Sequence, residues 1–256
     1  MPNISNKKRP PQLAPIDETG MDRIFRLPRV WSNRELLDLA PNFKGSVANV
    51  SGWTDIDKEG HRYRDYFCNA DEYIITNFRS DARGFQGQPG EIFLDLTQPL
   101  PPELENRFDV VFNHTVLEHI YEVQTAFDNL CRLSKDVVLI VVPFLQTMHA
   151  HYGDYWRFTP LTLKKMYEAR GMEMLRCTFN SHPNASVYLV ATGSRQPEKW
   201  TKLRLPFNYE DPLPAHNGFE NFVGCHAIQN QDYQRSRTRS GKLVNKIIKK
   251  LRRALP

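Results

Sequence analysis

The sequence predicts an α/β sandwich built on a mostly parallel sheet. Three observations carry that expectation. From Ser46 onward, β-rich segments alternate with segments of helical spacing. The run "DVVLIVV" is continuously apolar, as in a strand covered on both faces. Directly after it comes "HAHYGDYWRFTP", from His149 to Pro160, dense in polar and aromatic residues. In open parallel sheets, ligands bind at the carboxyl ends of the strands, where this stretch falls.

Residues 1–31 are rich in proline and basic residues and lack periodicity, so they read as a flexible or loosely docked arm. "SNRELLDLAP" reads as a short helix with Ser32 as N-cap and Pro41 beyond its end. "SVANV" is a short strand, followed by a turn and the helix-like "GHRYRDYF". "EYIITNF", then "EIFLDL" ended by "TQPLPP", then "FDVVFN" are three further strands. "VQTAFDNLCRL" places Val123, Ala126, Phe127, Leu130 and Leu133 at helical spacing. "TPLTLKKMYEARG" is a helix with Thr159 as N-cap, Pro160 at its first position and Gly171 at its end. "MEMLRCTF" and "ASVYLVAT" read as two final strands forming an antiparallel pair.

The 256 residues suit one domain with extensions. We divide them into an arm and short helix (1–44), the main domain (45–192), an extension (193–234) and a basic tail (235–256). Hydrophobic and charged fractions of 40% and 25% are those of a soluble globular protein. No run reaches the roughly 20 apolar residues of a membrane span, and the start lacks the apolar stretch of a secretory signal. The four cysteines are widely spaced with no C-x-x-C pair, so reduced thiols in a cytosol are expected rather than a zinc site or disulfides.

The net charge of +5 is uneven. Residues 235–256 hold nine Lys or Arg and no acid, and the remainder has 25 basic against 29 acidic residues, a net −4. The basic character thus belongs to the tail, which argues against a nucleic-acid binder. In "GKLVNKIIKKLRRAL", Leu243, Val244, Ile247, Ile248, Leu251 and Leu255 share a helical face. Lys242, Lys246, Lys249, Lys250, Arg252 and Arg253 fall mostly opposite. Such a helix suits an anionic membrane surface, as a peripheral contact at the cytoplasmic face. The alternatives are docking on the body or on a partner subunit.

"FDVVFNHTVLEHI" resembles the fourth-strand region of class I S-adenosylmethionine (SAM)-dependent methyltransferases, where a strand ending "FDxV" leads to "LEHI". Pro143, Phe144, His149 and then "DYWRFTP" resemble, in order, a type 11-like subgroup often linked to cell-surface glycan synthesis. The resemblance covers roughly residues 45–192. It implies a Rossmann-like seven-stranded sheet with an antiparallel last strand, and SAM bound over the ends of the first four strands. Val50, Ser51 and Gly52 then correspond to the loop whose amides approach the methionine carboxylate. Asn77 stands where an acid usually accepts from the ribose diol, and Asp95 with Leu96 where the adenine amine is read. Asn113 and His114 line the cofactor or acceptor. The loop "NVSGWTDIDKEG" departs from the Gly-rich pattern, having only Gly52 and Gly60. Asp55 and Asp57 are candidates to compensate.

On the acceptor side, His149 is the leading general base for methyl transfer to a hydroxyl, with Asp154 either orienting it or acting as the base. Arg157 either holds a phosphate or carboxylate of the acceptor or makes a structural ion pair. Tyr155 and Trp156 either stack on a sugar face or pack in the core. Glu118 and His119 either touch the acceptor or tie the helix start to its neighbours. His151 is a further candidate contact to the acceptor; His149, His151 and Asp154 lack clear metal-ligand spacing, and no metal is expected. The leading expectation is an O-methyltransferase using SAM on a glycan or activated-sugar acceptor. A methyltransferase-fold binding or scaffold module is the alternative from another class, and a small phosphorylated acceptor is a third.

Overall fold

The structure, a computed structural model, describes residues 9–79, 84–149, 153–182 and 184–206, with Leu243, Val244, Lys246, Ile247 and Lys250. His151 and most of the basic tail lie outside the described residues; the five described tail residues are helical and exposed.

The strands are β1 (Ser46–Val50), β2 (Glu72–Asn77), β3 (Glu91–Phe93), β4 (Phe108–His114), β5 (Ser134–Leu145), β6 (Glu173–Phe179) and β7 (Val187–Ser194). They form one seven-stranded sheet in the order β3-β2-β1-β4-β5-β7-β6. Neighbours from β3 through β5 are parallel, and β7 runs antiparallel to both β5 and β6. This is the expected mostly parallel α/β sheet with an antiparallel last strand. The order reverses between β1 and β4, whose carboxyl ends therefore flank a crevice.

The helices are α1 (Arg26–Leu39), α2 (Tyr63–Tyr66), α3 (Val123–Leu133) and α4 (Pro160–Glu168). Side chains alternate across the strands, so each face has its own core. One unites Ala48, Val111, Val138 and Leu189 with Phe127 of α3 and Tyr167 of α4. The other unites Val47, Val110, Leu139 and Val190 with Leu36 and Leu39 of α1 and with Phe43, Tyr63 and Phe67. Gly193 of β7 lets α4 approach closely, since a Cβ there would lie 2.3 Å from Cδ1 of Tyr167. The Tyr167 hydroxyl donates across that packing to the carbonyls of Val138 (3.0 Å) and Ala191 (3.3 Å).

Two sequence expectations are corrected. The first helix begins at Arg26, inside the expected arm, and Ser32 is not its cap. No side chain caps it at Phe25; Asp22 instead holds the turn just before it, its carboxylate accepting from the amides of Ile24 (2.9 Å) and Phe25 (3.3 Å). Pro28 sits in the first turn, where a missing N–H costs nothing. Residues 9–25 are docked, with Ala14 O accepting from Arg34 and Arg23 O from the Ser186 amide. The Thr159 cap is present, accepting from the Thr162 amide at 3.1 Å. The extension begins with a 3₁₀ turn, Pro197–Leu203, fixed by Trp200 Nε1 donating to Asp136. Among the described residues, no helix is long and apolar enough to cross a membrane.

Candidate functional site

Most of the expected site residues lie at the carboxyl ends of β1, β4 and β5, and the two groups of them are built differently. The loop after β1 is closed upon itself. Ser51, Trp53 and Asp55 all adopt positive φ (58°, 46° and 62°), a conformation costly for residues with a Cβ. What holds them is a set of buried polar bonds. The Asn77 carboxamide accepts from the Trp53 amide (2.7 Å) and donates to the Trp53 carbonyl (3.2 Å) and to Glu91 (2.5 Å). Asp55 accepts from Asn49, the Tyr73 hydroxyl and the Arg64 amide. Asp57 accepts from the amides of Glu59 and His61 and from the Tyr66 hydroxyl. From α1, Asn33 and Arg34 both reach Glu59.

These bonds settle where the expected cofactor residues stand. Asn77 is 2% exposed and its amide is already engaged by the loop. Asp55 and Asp57, offered as compensating acids, are buried and hold the loop through their own hydrogen bonds. Gly52 donates its amide to Thr76 O at 3.2 Å, and a Cβ there would lie 2.5 Å from the Asn49 amide nitrogen. Its glycine thus serves close packing. The Ser51 amide faces Thr76 Oγ1 at 3.4 Å, and Val50 O accepts from Asn113 Nδ2 at 2.9 Å. Asn113 Oδ1 is buried with no partner among the described residues. Beyond β3, Asp95 Oδ1 accepts from the amide and hydroxyl of Thr97, while Leu96 is buried and its carbonyl accepts from Asn129.

His114 is tied on both ring nitrogens, to Ser32 Oγ of α1 (2.9 Å) and Thr115 Oγ1 (3.2 Å). Burial, reinforced by the Arg29 charge, pushes its pKa down to about 3, so it is neutral.

The residues expected on the acceptor side come from the turn after β4 and the segment after β5. The amides of Tyr155 (2.8 Å) and Trp156 (3.3 Å) donate to Glu118 O, and Phe158 N donates to Pro143 O. Arg157 then locks the segment. Its Nε donates to Gln146 O, one Nη to Asp154 Oδ1 (2.6 Å) and Trp156 O, and the other to Asp154 Oδ2 (2.8 Å) and Thr147 O. A guanidinium has five N–H donors, and all five are engaged. Arg157 is therefore a clamp on its own segment, the structural ion pair of the two readings offered, with all five donors engaged within the chain.

Asp154, whose side chain is 1% exposed, also accepts from the His149 amide at 2.7 Å. Burial works to raise its pKa, but the Arg157 bonds outweigh it and hold the carboxylate below its ordinary range. A carboxylate so stabilised is a poor base, so of the two offered roles only orientation fits. The Oδ2 oxygen lies 3.3 Å from His149 Nδ1, out of line for a hydrogen bond. Burial lowers the His149 pKa against the opposing Asp154 charge, leaving a neutral imidazole at neutral pH. Its ring meets Phe25 edge-on (5.3 Å) and His119 edge-on (5.0 Å between centroids).

His119 Nδ1 donates to Gly153 O at 2.6 Å, and its Nε2 is 3.7 Å from Glu118 Oε1. The Glu118 side chain is sealed from solvent, and neither oxygen has a hydrogen-bond partner among the described residues. Burial raises its pKa to about 7, against the charges of Arg29 and Arg157. Burial also lowers that of His119, so this contact is not a charged pair at neutral pH.

Tyr155 and Trp156 are exposed at 54% and 37% rather than packed in the core. The indole N–H donates to Ile120 O (3.0 Å) and Tyr121 O (3.2 Å), which orients the ring. Tyr121, 66% exposed, completes a trio with Tyr155 (5.5 Å) and Trp156 (6.3 Å). Sequence reasoning missed Tyr121, although it directly follows "LEHI". It also missed Ser32, because a serine mid-helix gives no sign of a partner on β4.

No family model and no curated protein matches the chain. Solved structures do resemble it. One is a Bacillus halodurans C-125 protein described as a candidate methyltransferase, at 13% identity and TM-score 0.48, covering 63% of this chain and 97% of that one. Another is magnesium protoporphyrin IX methyltransferase from Synechocystis PCC 6803 with bound S-adenosylhomocysteine, at 12% and 0.45, covering 66% and 85%. A third is the 1,6-didemethyltoxoflavin-N1-methyltransferase of Burkholderia thailandensis with bound 1,6-didemethyltoxoflavin and S-adenosylhomocysteine, at 16% and 0.45, covering 64% and 80%.

Proposed function

We propose that the protein is a SAM-dependent O-methyltransferase acting on a sugar or glycan-precursor hydroxyl. The observation that carries this reading is a neutral His149 beside the ionised Asp154, beyond β5 and next to the β1/β4 crevice. When bound, SAM would supply an electrophilic sulfonium methyl. The unpaired Asn113 Oδ1 and Asp95 suit polar groups of such a cofactor. Asn77 would exchange its bonds to Trp53 for the ribose hydroxyls. His149 takes the acceptor proton as the oxygen gains the methyl group, and Asp154 steadies the imidazolium formed. Arg157 keeps Asp154 ionised and in place. The rings of Tyr121, Tyr155 and Trp156 offer apolar faces with polar tips, as a sugar requires. The basic tail would hold the enzyme against anionic lipid near its acceptor on the cytoplasmic side. A phosphorylated acceptor loses its support once Arg157 is fully engaged.

One observation favours a second reading, a binding module without transferase activity: the β1 loop is closed on Asn77. Calorimetric titration with S-adenosylhomocysteine separates the two. Saturable 1:1 binding, followed by transfer of labelled methyl to a sugar hydroxyl, supports the enzyme. Absence of cofactor binding up to millimolar concentration refutes it and leaves the module.

A further inference from the structure

The geometry points to a divalent-cation site formed by His119, His149 and Asp154, suited to Zn²⁺ or another first-row ion that favours imidazole. It stands apart from the methyltransferase reading and requires no cofactor.

One ligand atom from each residue falls within 4.8 Å of the other two. A four-coordinate ion with bonds of about 2.1 Å sets its ligand atoms roughly 3.4 Å apart. The His149 Nδ1 to Asp154 Oδ2 separation of 3.3 Å already matches one such edge. The other two separations lie within 4.8 Å, so binding an ion draws His119 toward the other two ligands.

The tautomer of His119 is set as a metal site needs it. His119 Nδ1 donates to Gly153 O at 2.6 Å, which places the lone pair on Nε2. His149 Nδ1 is buried and makes no hydrogen bond among the described residues. Asp154 Oδ2, the oxygen facing His149 Nδ1, already accepts from the His149 amide and Arg157, while Oδ1 accepts from Arg157 alone, so an ion takes the place of one bond at Oδ2 or the carboxylate turns to present Oδ1. Arg157 would then be the outer partner that orients a ligating carboxylate. A second observation points the same way: the sealed, unpartnered Glu118 carboxyl sits 3.7 Å from His119 Nε2. An ion held there would add a positive charge close to this carboxyl. His119 comes from the turn after β4 while His149 and Asp154 come from beyond β5, so no local spacing motif exists to be read.

The two readings meet at His149. In the ion-loaded protein its ring nitrogen is a ligand and not a proton acceptor, so loading suppresses any methyl transfer that depends on it.

The test uses metal-stripped full-length protein without an affinity tag. Titration with Zn²⁺ and Co²⁺ is expected to show one equivalent bound, with the visible absorption of four-coordinate Co²⁺. His119→Gln and His149→Gln should each weaken binding at least tenfold, while His182→Gln, away from the site, leaves it unchanged. Histidine-ring NMR on the unaltered protein guards against misfolded variants: on adding Zn²⁺, the His119 and His149 signals should shift together. Tight binding that survives the His119→Gln/His149→Gln double variant overturns the proposal. So does a titration in which neither ring responds.

Discussion

Glu118 gives a stability prediction whose sign is unusual for a carboxylate. Its pKa rises from 4.5 to about 7 in the folded chain because the carboxyl is sealed from water. Below the unfolded value, folded and unfolded chains both hold the proton and the group is neutral in its effect. Above the folded value both are ionised, and the folded chain carries a desolvated charge. Stability is therefore lost as pH rises between the two values. At about 1.36 kcal/mol per unit the whole gap is worth about 3 kcal/mol, of which about 2.5 kcal/mol falls between pH 5 and pH 8. Glu118→Gln keeps the shape and removes the titration. Urea unfolding of both proteins at pH 5 and pH 8 isolates the effect, because the nearby histidines titrate in both and cancel in the double difference. The variant should gain about 2.5 kcal/mol relative to the parent on going from pH 5 to pH 8. A relative gain below about 1 kcal/mol, or one of opposite sign, would refute the argument that Glu118 is an uncompensated buried acid.

Three further outcomes are expected. His149→Gln should lower kcat by about 10²–10⁴ while leaving S-adenosylhomocysteine affinity unchanged; in the parent, activity should fall with pH through a pKa below the ordinary histidine value of 6.5, since burial disfavours the imidazolium. Asp154→Ala leaves Arg157 without its counter-charge. Because the Arg157 side chain is 25% exposed, the loss in chemical denaturation should be about 2–3 kcal/mol, below the 3–5 kcal/mol of a fully sealed pair. Gly193→Ala drives a methyl into the Tyr167 ring, whose hydroxyl is held by two carbonyls; about 3 kcal/mol should be lost, and an unchanged melting temperature would show that α4 can shift.

The fold was legible where burial alone dictates the pattern. The runs that became β1, β4, β5 and α3 are apolar at the period of their element, and Thr159, Pro160 and Gly171 punctuate α4 as its chemistry requires. The start of α1 was hidden because its inward face includes Ser32 and Asn33, which are buried only through partners on β4 and the β1 loop. That the polar-aromatic stretch follows the carboxyl end of a buried strand was legible from the apolar run before it. The roles of the site residues were not, because residue type does not reveal which lone pairs and donors are already occupied. Arg157 and Asn77 carry the chemistry to bind a ligand, yet both spend it on their own backbone. The pairing of His119 with His149 depends on two loops meeting in space, which no local spacing encodes.

The first helix has a consequence for how the chain matures. Ser32 meets His114, and Glu35 accepts from Arg176 (3.0 Å) and Thr178 (2.6 Å) on β6. On the ribosome α1 therefore emerges long before most of its partners exist, and it must wait, apolar face uncovered, until nearly the whole sheet has been made. Contacts so distant in sequence form late and slowly. The nascent chain is thus most vulnerable to aggregation while α1 is waiting, and a chaperone that shields this helix should raise the yield of native protein more than one acting after release.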